Sequence, residues 1–139
     1  MYTIYMKYLG IDYGTKRVGL ALSDETGTIA RPFLVLKNTP NLISDIEKII
    51  QSEQVSAIVI GGSEGNKIDS EINEFIGQLS LVTLLPIEKI TEAFTSYEAH
   101  DREGKESRND RQTKKPEKPD NLDARAAAII LERFLNKKK

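Results

Sequence analysis

The chain has 139 residues, a formal net charge of -1, no cysteine and one histidine, His100. This length suits one domain, and the lack of cysteine excludes disulfides, thiolate metal sites and a cysteine nucleophile. One histidine excludes an all-histidine zinc site, so metal chemistry would need carboxylates and hard cations. The near-zero net charge means that any surface that attracts nucleic acid must be local.

The first part of the chain predicts three antiparallel strands. Apolar residues alternate over Tyr8 to Asp12 and over Val18 to Ser23, with a glycine turn between the two runs. A turn signal then leads into a third strand, Thr28 to Leu36, which Pro32 interrupts.

Helices and strands alternate in the remainder of the chain. The predicted elements are a helix that Thr39 caps and Pro40 begins, a buried strand over Val55 to Ile60, a helix over Asp69 to Leu79, a strand after Pro86, a helix over Ser96 to Glu103, and a last helix over Leu122 to Asn136 capped by Asp120 or Asn121. This order predicts one α/β domain over residues 1–139, with a mixed sheet between helices.

Two further segments bear on where the protein works. Residues 104–120 contain many charges, two prolines and no aliphatic or aromatic side chain, which predicts a mobile surface loop. The N-terminus does not resemble a secretory signal, and no apolar run approaches the ~20 residues of a membrane span. We therefore expect a cytoplasmic protein with no membrane contact.

Three acidic residues lie at the ends of predicted elements. Asp12 ends the first strand, Glu92 follows the last strand, and Asp123 lies in the first turn of the last helix. Functional groups of α/β sheets gather outside strand ends, so the three carboxylates converge if this helix points its N-terminus towards Asp12. Their repulsion would favour bound Mg²⁺ or Mn²⁺ and two-metal phosphodiester hydrolysis, with Lys16 and Arg17 holding a phosphate nearby.

The same residues also have ordinary structural interpretations. Asp12 to Thr15 could form only a hairpin turn, Glu92 could be a solvated loop acid, and Asp123 could stabilise the helix dipole. Gly61 to Gly65 could be a flexible loop or a backbone-amide cradle for phosphate. The charged segment 104–120 could be a solvated loop or a clamp on nucleic acid.

Three segments resemble one known family. The stretch LGIDYGTKRVGLALSD, which carries Asp12, resembles the first motif of the pre-16S rRNA nuclease family, also described as Holliday junction resolvase-like. The stretch ITEAFTSYEAH is similar to its second acidic motif, with Glu92 on the catalytic glutamate. The stretch NLDARAAAIIL is similar to its last motif, with Asp123 on the catalytic aspartate. The resemblance runs from about Lys7 to Leu135.

This resemblance implies an RNase H-like fold and a metal-dependent endonuclease that trims the 5′ end of the 16S rRNA precursor, with branched DNA as an alternative substrate. The three acids would hold one or two Mg²⁺ or Mn²⁺ ions, and the protein would be a monomer or a homodimer. The expected contacts to the phosphate backbone come from Lys16, Arg17, Arg108, Arg111, Lys114 and Lys115.

The sequence departs from the family pattern at three places. Gly61-Gly62-Ser63 replaces a Gly-Leu-Pro-like turn, Thr91 stands where an acidic residue is usual, and Ala93 replaces an arginine. The missing cation keeps a second hypothesis open, a non-catalytic module that binds RNA or the ribosome. A third arises because Asp12 to Thr15 followed by Gly19 also resembles a phosphate loop of the actin and sugar-kinase superfamily, whose ATPases need two such domains.

Overall fold

The computed structural model describes residues 5–62, 69–90 and 119–138. Its strands and helices in chain order are β1 (Tyr8–Tyr13), β2 (Arg17–Ser23), β3 (Ala30–Lys37), α1 (Leu42–Glu53), β4 (Ala57–Gly62), α2 (Asp69–Ser80), β5 (Ile87–Lys89) and α3 (Pro119–Lys138).

The five strands form one mixed sheet in the order β3-β2-β1-β4-β5. The strand β2 is antiparallel to both of its neighbours, β1 and β3, whereas β4 is parallel to β1 and β5 is parallel to β4. The predicted mixed α/β sheet is therefore confirmed. The strand β1, which carries Asp12, lies at its centre.

Two hydrophobic layers hold the helices on opposite faces of the sheet. On one face, alternate strand residues such as Ile11 and Leu20 pack with apolar side chains of α1 and α2, including Ile46 and Phe75. On the other face, Tyr8, Ala21 and Val59 pack with α3. Each layer buries apolar area, the dominant favourable term in folding. Two-residue alternation assigns every strand position to one of these faces.

Glycines let α3 approach the sheet closely. A Cβ atom added at Gly10 would lie 2.9 Å from Leu131 Cβ, and one added at Gly61 would lie 3.0 Å from Ile130 Cδ1. A Cβ at Gly19 would overlap the backbone carbonyl oxygen of Asp123. The predicted alanine face of α3 contributes to the same contact, since Ala124, Ala126 and Ala127 are buried.

The start of α1 differs from the prediction. Thr39 Oγ1 accepts a 3.1 Å hydrogen bond from the Asn41 N–H, and Thr39 O accepts one of 2.9 Å from the Leu42 N–H. These bonds make a turn that contains Pro40, and the helix begins only at Leu42. The prediction that Thr39 caps the helix and Pro40 begins it was wrong by about half a turn.

The strand β4 lies two residues later than predicted. Val55 donates a 3.0 Å hydrogen bond to Ile50 O, next to Gln54, whose φ of 57° and ψ of 52° close α1 in the left-handed conformation. Val55 therefore belongs to the helix end, and β4 runs from Ala57 through Gly62. Gly61 and Gly62, which were expected to belong to a loop, are strand residues.

The third strand also begins later than predicted. Asp24 Oδ1 accepts hydrogen bonds from the N–H groups of Thr28, at 2.7 Å, and Ile29, at 3.1 Å, so Thr28 belongs to a turn. The predicted interruption at Pro32 is confirmed, because the β2–β3 register shifts between Leu20 and Ala21, and Ala21 pairs with Pro32. Proline suits this position because β3 is an edge strand.

The last helix begins earlier than predicted. The helix α3 starts at Pro119, so Asp120 and Asn121 lie inside it and not at its cap. Asp123 is the fifth residue of the helix. Asp123 therefore lies just beyond the first turn, where the interaction with the helix dipole is weaker than the predicted boundary implied.

Several predictions fall outside the described residues. These are the helix over Ser96 to Glu103, His100, the loop over 104–118 and the end of the glycine segment at residues 63–65. None of the helices that the structure describes is both long and apolar enough to span a membrane.

Candidate active site

Asp12 is buried at the centre of the sheet. Its side chain is 6% exposed. Asp12 and Ser23 are the two buried polar residues among the described residues. Its Cα pairs with Gly19 of β2 on one side and with Gly61 of β4 on the other. The prediction that Asp12 comes at the end of the first strand is confirmed within one residue. The interpretation as a mere hairpin turn is wrong, because the turn begins only at Gly14.

The carboxylate of Asp12 points to the face that α3 covers. Its neighbours Ile11 and Tyr13 belong to the opposite layer, where the Tyr13 ring lies 4.8 Å from that of Phe75. Successive side chains of a strand alternate between faces, so Asp12 shares the α3 face with Gly10. Both direct partners of Asp12 are glycines, and α3 occupies the space that their side chains would fill, with Asp123 at Gly19 and Ile130 at Gly61.

Asp123 lies on the same face, next to Asp12. Its backbone carbonyl is packed against Gly19, the residue that pairs with Asp12. Any side chain at Gly19 would push this part of α3 away from the sheet. The position of Asp123 beside Asp12 thus depends on a glycine in the neighbouring strand.

Arg17 links the strand β2 to this acid. Its Nε donates a 2.6 Å hydrogen bond to Asp123 Oδ2, with the two side chains 45% and 23% exposed. Charge assistance makes such a bond short and strong, although partial exposure weakens its electrostatic part. Arg17 was expected to hold phosphate and Asp123 to hold metal, and the structure joins the two side chains directly.

The turn between β1 and β2 is fixed by Asn38. The Asn38 side chain donates a 2.8 Å hydrogen bond from Nδ2 to Gly14 O, and its backbone N–H donates one of 2.9 Å to Lys16 O. A Cβ at Gly14 would lie only 2.6 Å from Arg17 O, so the turn requires glycine there. Lys16 is exposed at the tip of this turn.

A family model described as "RuvX: Holliday junction resolvase" matches residues 6–137 of this chain, nearly its whole length. The chain belongs to this family. The match includes β1 with Asp12 and α3 with Asp123, the two acids that the geometry brings together.

Relatives of this RuvX-family chain share its full extent. A protein of Oleidesulfovibrio alaskensis is 32% identical over 138 residues, covering 94% of this chain and 92% of its own. One of Maridesulfovibrio salexigens is 38% identical over 137 residues, covering 94% and 98%. Both carry the name "Putative pre-16S rRNA nuclease".

Two solved structures share the fold. The RuvC protein of T. thermophilus in complex with a Holliday junction substrate has a TM-score of 0.59 at 15% identity, with 96% of each chain covered. The Fowlpox virus resolvase in complex with Holliday junction DNA has a TM-score of 0.55 at 14% identity, with 96% and 99% covered. The RuvX-family chain therefore has the RNase H-like fold of the RuvC-type resolvases.

The described acids suit a hard divalent cation. Asp12 and Asp123 offer carboxylate oxygens on one face, and Gly19 and Gly61 let α3 approach the sheet on either side of Asp12. Mg²⁺ is usually bound through one or two protein carboxylates together with water and substrate phosphate. Within residues 5–62, 69–90 and 119–138, no group of three or more acidic or histidine side chains is close enough to hold a metal. The expected third ligand, Glu92, lies outside these residues.

Some of the other predicted site residues lie in the described part of the chain, and the others lie outside it. Lys16 and Arg17 lie at the turn beside the acids, as the sequence suggested. The basic residues expected from the charged segment lie outside the described part of the chain: Arg108, Arg111, Lys114 and Lys115. Ala93 and Thr91, where the sequence departs from the family pattern, also lie outside it.

Two residues beside the candidate site, Asn38 and Lys37, were not predicted from the sequence. Asn38 gives no periodic signal, because its role is one side-chain bond to a turn 24 positions away. Lys37 ends β3 directly opposite Arg17 in the sheet register. The shift at Pro32 hides this register from the sequence, since one residue of β3, Phe33, is left out of the pairing there.

Proposed function

We propose that this protein is a metal-dependent endonuclease that hydrolyses phosphodiester bonds of structured nucleic acid. The observation that supports it most is the convergence of Asp12 and Asp123 on one face of the sheet, beside Arg17. Membership of the RuvX family and the names of the relatives support the same function.

In this proposal Asp12, Asp123 and Glu92 would hold one or two Mg²⁺ or Mn²⁺ ions. When bound, these ions supply a water of lowered pKa and positive charge at the leaving oxygen. The burial of Asp12 strengthens its electrostatic interactions, because the local dielectric is lower than that of water.

Lys16 and Arg17 have a separate role. They hold the phosphate backbone beside the acids, and the basic residues of the 104–118 segment extend the contact. Because Arg17 also holds Asp123, a phosphate that draws the guanidinium away would release a carboxylate oxygen for the ion. Contacts of this kind give affinity that depends on salt and little on sequence.

We propose the 16S rRNA precursor as the substrate, cleaved near its 5′ end in the cytoplasm. This choice rests on the names of the relatives, which share 32% and 38% identity over nearly the whole chain. A second candidate is a four-way DNA junction. The family description and the DNA complexes of the two solved structures favour it. A resolvase would need two active sites related by symmetry, so this alternative also requires a dimer.

A direct comparison of substrates tests the proposal. The protein would be incubated with a 16S rRNA precursor transcript and with a four-way DNA junction, each in Mg²⁺, in Mn²⁺ and in EDTA. We expect cleavage of the rRNA precursor in the presence of either ion and none in EDTA. Cleavage of the DNA junction without cleavage of the rRNA precursor would show that the protein acts as a junction resolvase. Binding of RNA without cleavage of either substrate would favour the non-catalytic module.

A further inference from the structure

Beside the acids, the ends of β2 and β3 form a groove with a basic lining. The groove has a volume of about 520 Å³ and is lined by Thr15, Lys16, Arg17, Val35, Lys37, Asn38 and Thr39. Its lining has three cations, three neutral polar side chains and one apolar side chain. In a chain with a formal net charge of -1, this is a local concentration of positive charge.

The sheet register places Lys37 on the same face as the acids. Lys37 pairs with Arg17, and Val35 pairs with Gly19, whose partner on the other side is Asp12. Leu36 packs into the hydrophobic layer on the opposite face of the sheet. Because successive side chains of a strand alternate between faces, Lys37 lies on the face that α3 covers. Lys37 therefore lies beside Arg17 on the next strand. It is one strand further from β1 and Asp12, which is about 5 Å by the usual spacing of strands.

The backbone that lines the groove is fixed by hydrogen bonds from Asn38 and Thr39. Asn38 joins both Gly14 and Lys16 to the end of β3, and the Thr39 N–H donates a 3.0 Å bond to Lys37 O. The two lysines are thus attached to fixed backbone while their side chains remain exposed. Within the described part of the chain, neither Lys16 nor Lys37 forms an ion pair, whereas Arg17 holds Asp123.

We propose that this groove binds the sugar-phosphate backbone of the substrate next to the cleaved bond, and that Lys37 is a substrate-positioning residue. Lys37 contacts a phosphate adjacent to the one that Arg17 approaches, and the hydroxyl groups of Thr15 and Thr39 can donate to its oxygens. Lysine contacts phosphate as a point charge, so it fixes the path of the strand without reading its sequence. The inference rests on the proposed function for the identity of the ligand, but binding can be measured without cleavage.

The test measures equilibrium binding in EDTA over a series of salt concentrations, with a 16S rRNA precursor fragment and with a four-way DNA junction. Lys37→Ala is compared with wild type, with Lys37→Arg, and with Lys48→Ala. Lys48 is an exposed lysine of α1 on the opposite face, so it serves as the matched control. Thermal unfolding establishes that all variants are folded.

Lys37→Ala should weaken binding about five- to tenfold near 0.1 M salt, because one released counterion contributes a slope of ~0.9 in log K against log salt. The slope should become shallower by about the same amount on both nucleic acids. Lys37→Arg should restore affinity and slope, and Lys48→Ala should change neither.

Two results would overturn the inference. One is equal affinity and slope for Lys37→Ala and Lys48→Ala. The other is a loss confined to one sequence with an unchanged slope, which would assign Lys37 to base recognition. If the groove proposal is wrong, the wild-type protein still cleaves its substrate. If the nuclease proposal is wrong, Lys37→Ala still binds nucleic acid more weakly than wild type in EDTA. The two failures are therefore distinguishable.

Discussion

Arg17 and Asp123 are 106 positions apart, yet Arg17 Nε donates a 2.6 Å hydrogen bond to Asp123 Oδ2. This bond ties the start of β2 to α3 at the point where the helix passes Gly19. It also gives one carboxylate two competing partners, a guanidinium in the free protein and a divalent cation in the proposed enzyme.

The first prediction concerns this competition. Arg17→Gln should bind Mn²⁺ about fivefold more tightly than wild type without nucleic acid, since a nearby positive charge costs ~1 kcal/mol at water-like dielectric. It should bind nucleic acid more weakly. Calorimetric titration with Mn²⁺ measures the first effect, with Arg31→Gln at the far end of β3 as control. Unchanged Mn²⁺ affinity in Arg17→Gln would show that Arg17 does not compete with the ion.

A second prediction tests the close approach of α3. Gly19→Ala places a Cβ on the carbonyl of Asp123, so it should destabilise the fold by ~1–3 kcal/mol and reduce cleavage. Gly77→Ala is the matched control in α2, where an added Cβ meets nothing within 4 Å. It should stabilise the fold by ~0.5–1 kcal/mol. Denaturant unfolding compares them, and equal stability of Gly19→Ala and wild type would contradict the packing.

The hydrogen bond from Asn38 to the turn between β1 and β2 gives a third prediction. Asn38→Ala removes the side-chain bond to Gly14 O and should cost ~1 kcal/mol of unfolding free energy. Amide hydrogen exchange should rise at residues 14–17, at the wall of the basic groove. Asn73→Ala is the control, because Asn73 of α2 accepts an exposed hydrogen bond from Lys89 Nζ of β5. Unchanged exchange at residues 14–17 would mean that Asn38 does not fix the turn.

The fourth prediction concerns pH. Hydrogen bonds from the backbone N–H groups of Thr28 and Ile29 hold the pKa of Asp24 well below its usual value of 3.8. A lowered pKa in the folded state means that Asp24 contributes stability above about pH 4 and loses it as the pH falls further. Asp24→Asn should therefore be less stable than wild type at pH 7, with a smaller difference near pH 3.

Thermal unfolding across this pH range measures the effect. The neighbouring Glu25→Gln, an exposed carboxylate, is the control and should follow wild type. A stability difference between Asp24→Asn and wild type that stays constant from pH 7 to pH 3 would refute the role of the Asp24 charge.

Much of the fold could be predicted because strands and helices carry their own periodicity. Alternation over Tyr8 to Asp12 predicts β1, and apolar spacing over Asp69 to Leu79 predicts α2. The boundaries that were wrong depend on single hydrogen bonds, such as those of Thr39, Val55 and Thr28. No periodic pattern encodes such bonds, so the sequence predicts the element but not its first residue.

The site was predictable in part for a different reason. Asp12 stands out because a charged residue ends an apolar run. Asp123 stands out only through the resemblance, because an acid in a helix is common. The pairing of Arg17 with Asp123 depends on how closely α3 approaches Gly19, and the alignment of Lys37 with Arg17 depends on the shift at Pro32. Both are tertiary features that one sequence does not reveal.

The central claim is that Asp12 is a catalytic carboxylate. Cleavage of the 16S rRNA precursor by wild type, Asp12→Asn and Asp45→Asn in Mg²⁺ tests it most directly, with unfolding temperatures measured alongside. Asp45 lies in α1 on the opposite face, so its variant controls for the same chemical change. We expect Asp12→Asn to remain folded and lose cleavage, and Asp45→Asn to cleave like wild type. Cleavage by Asp12→Asn at the wild-type rate would contradict the account.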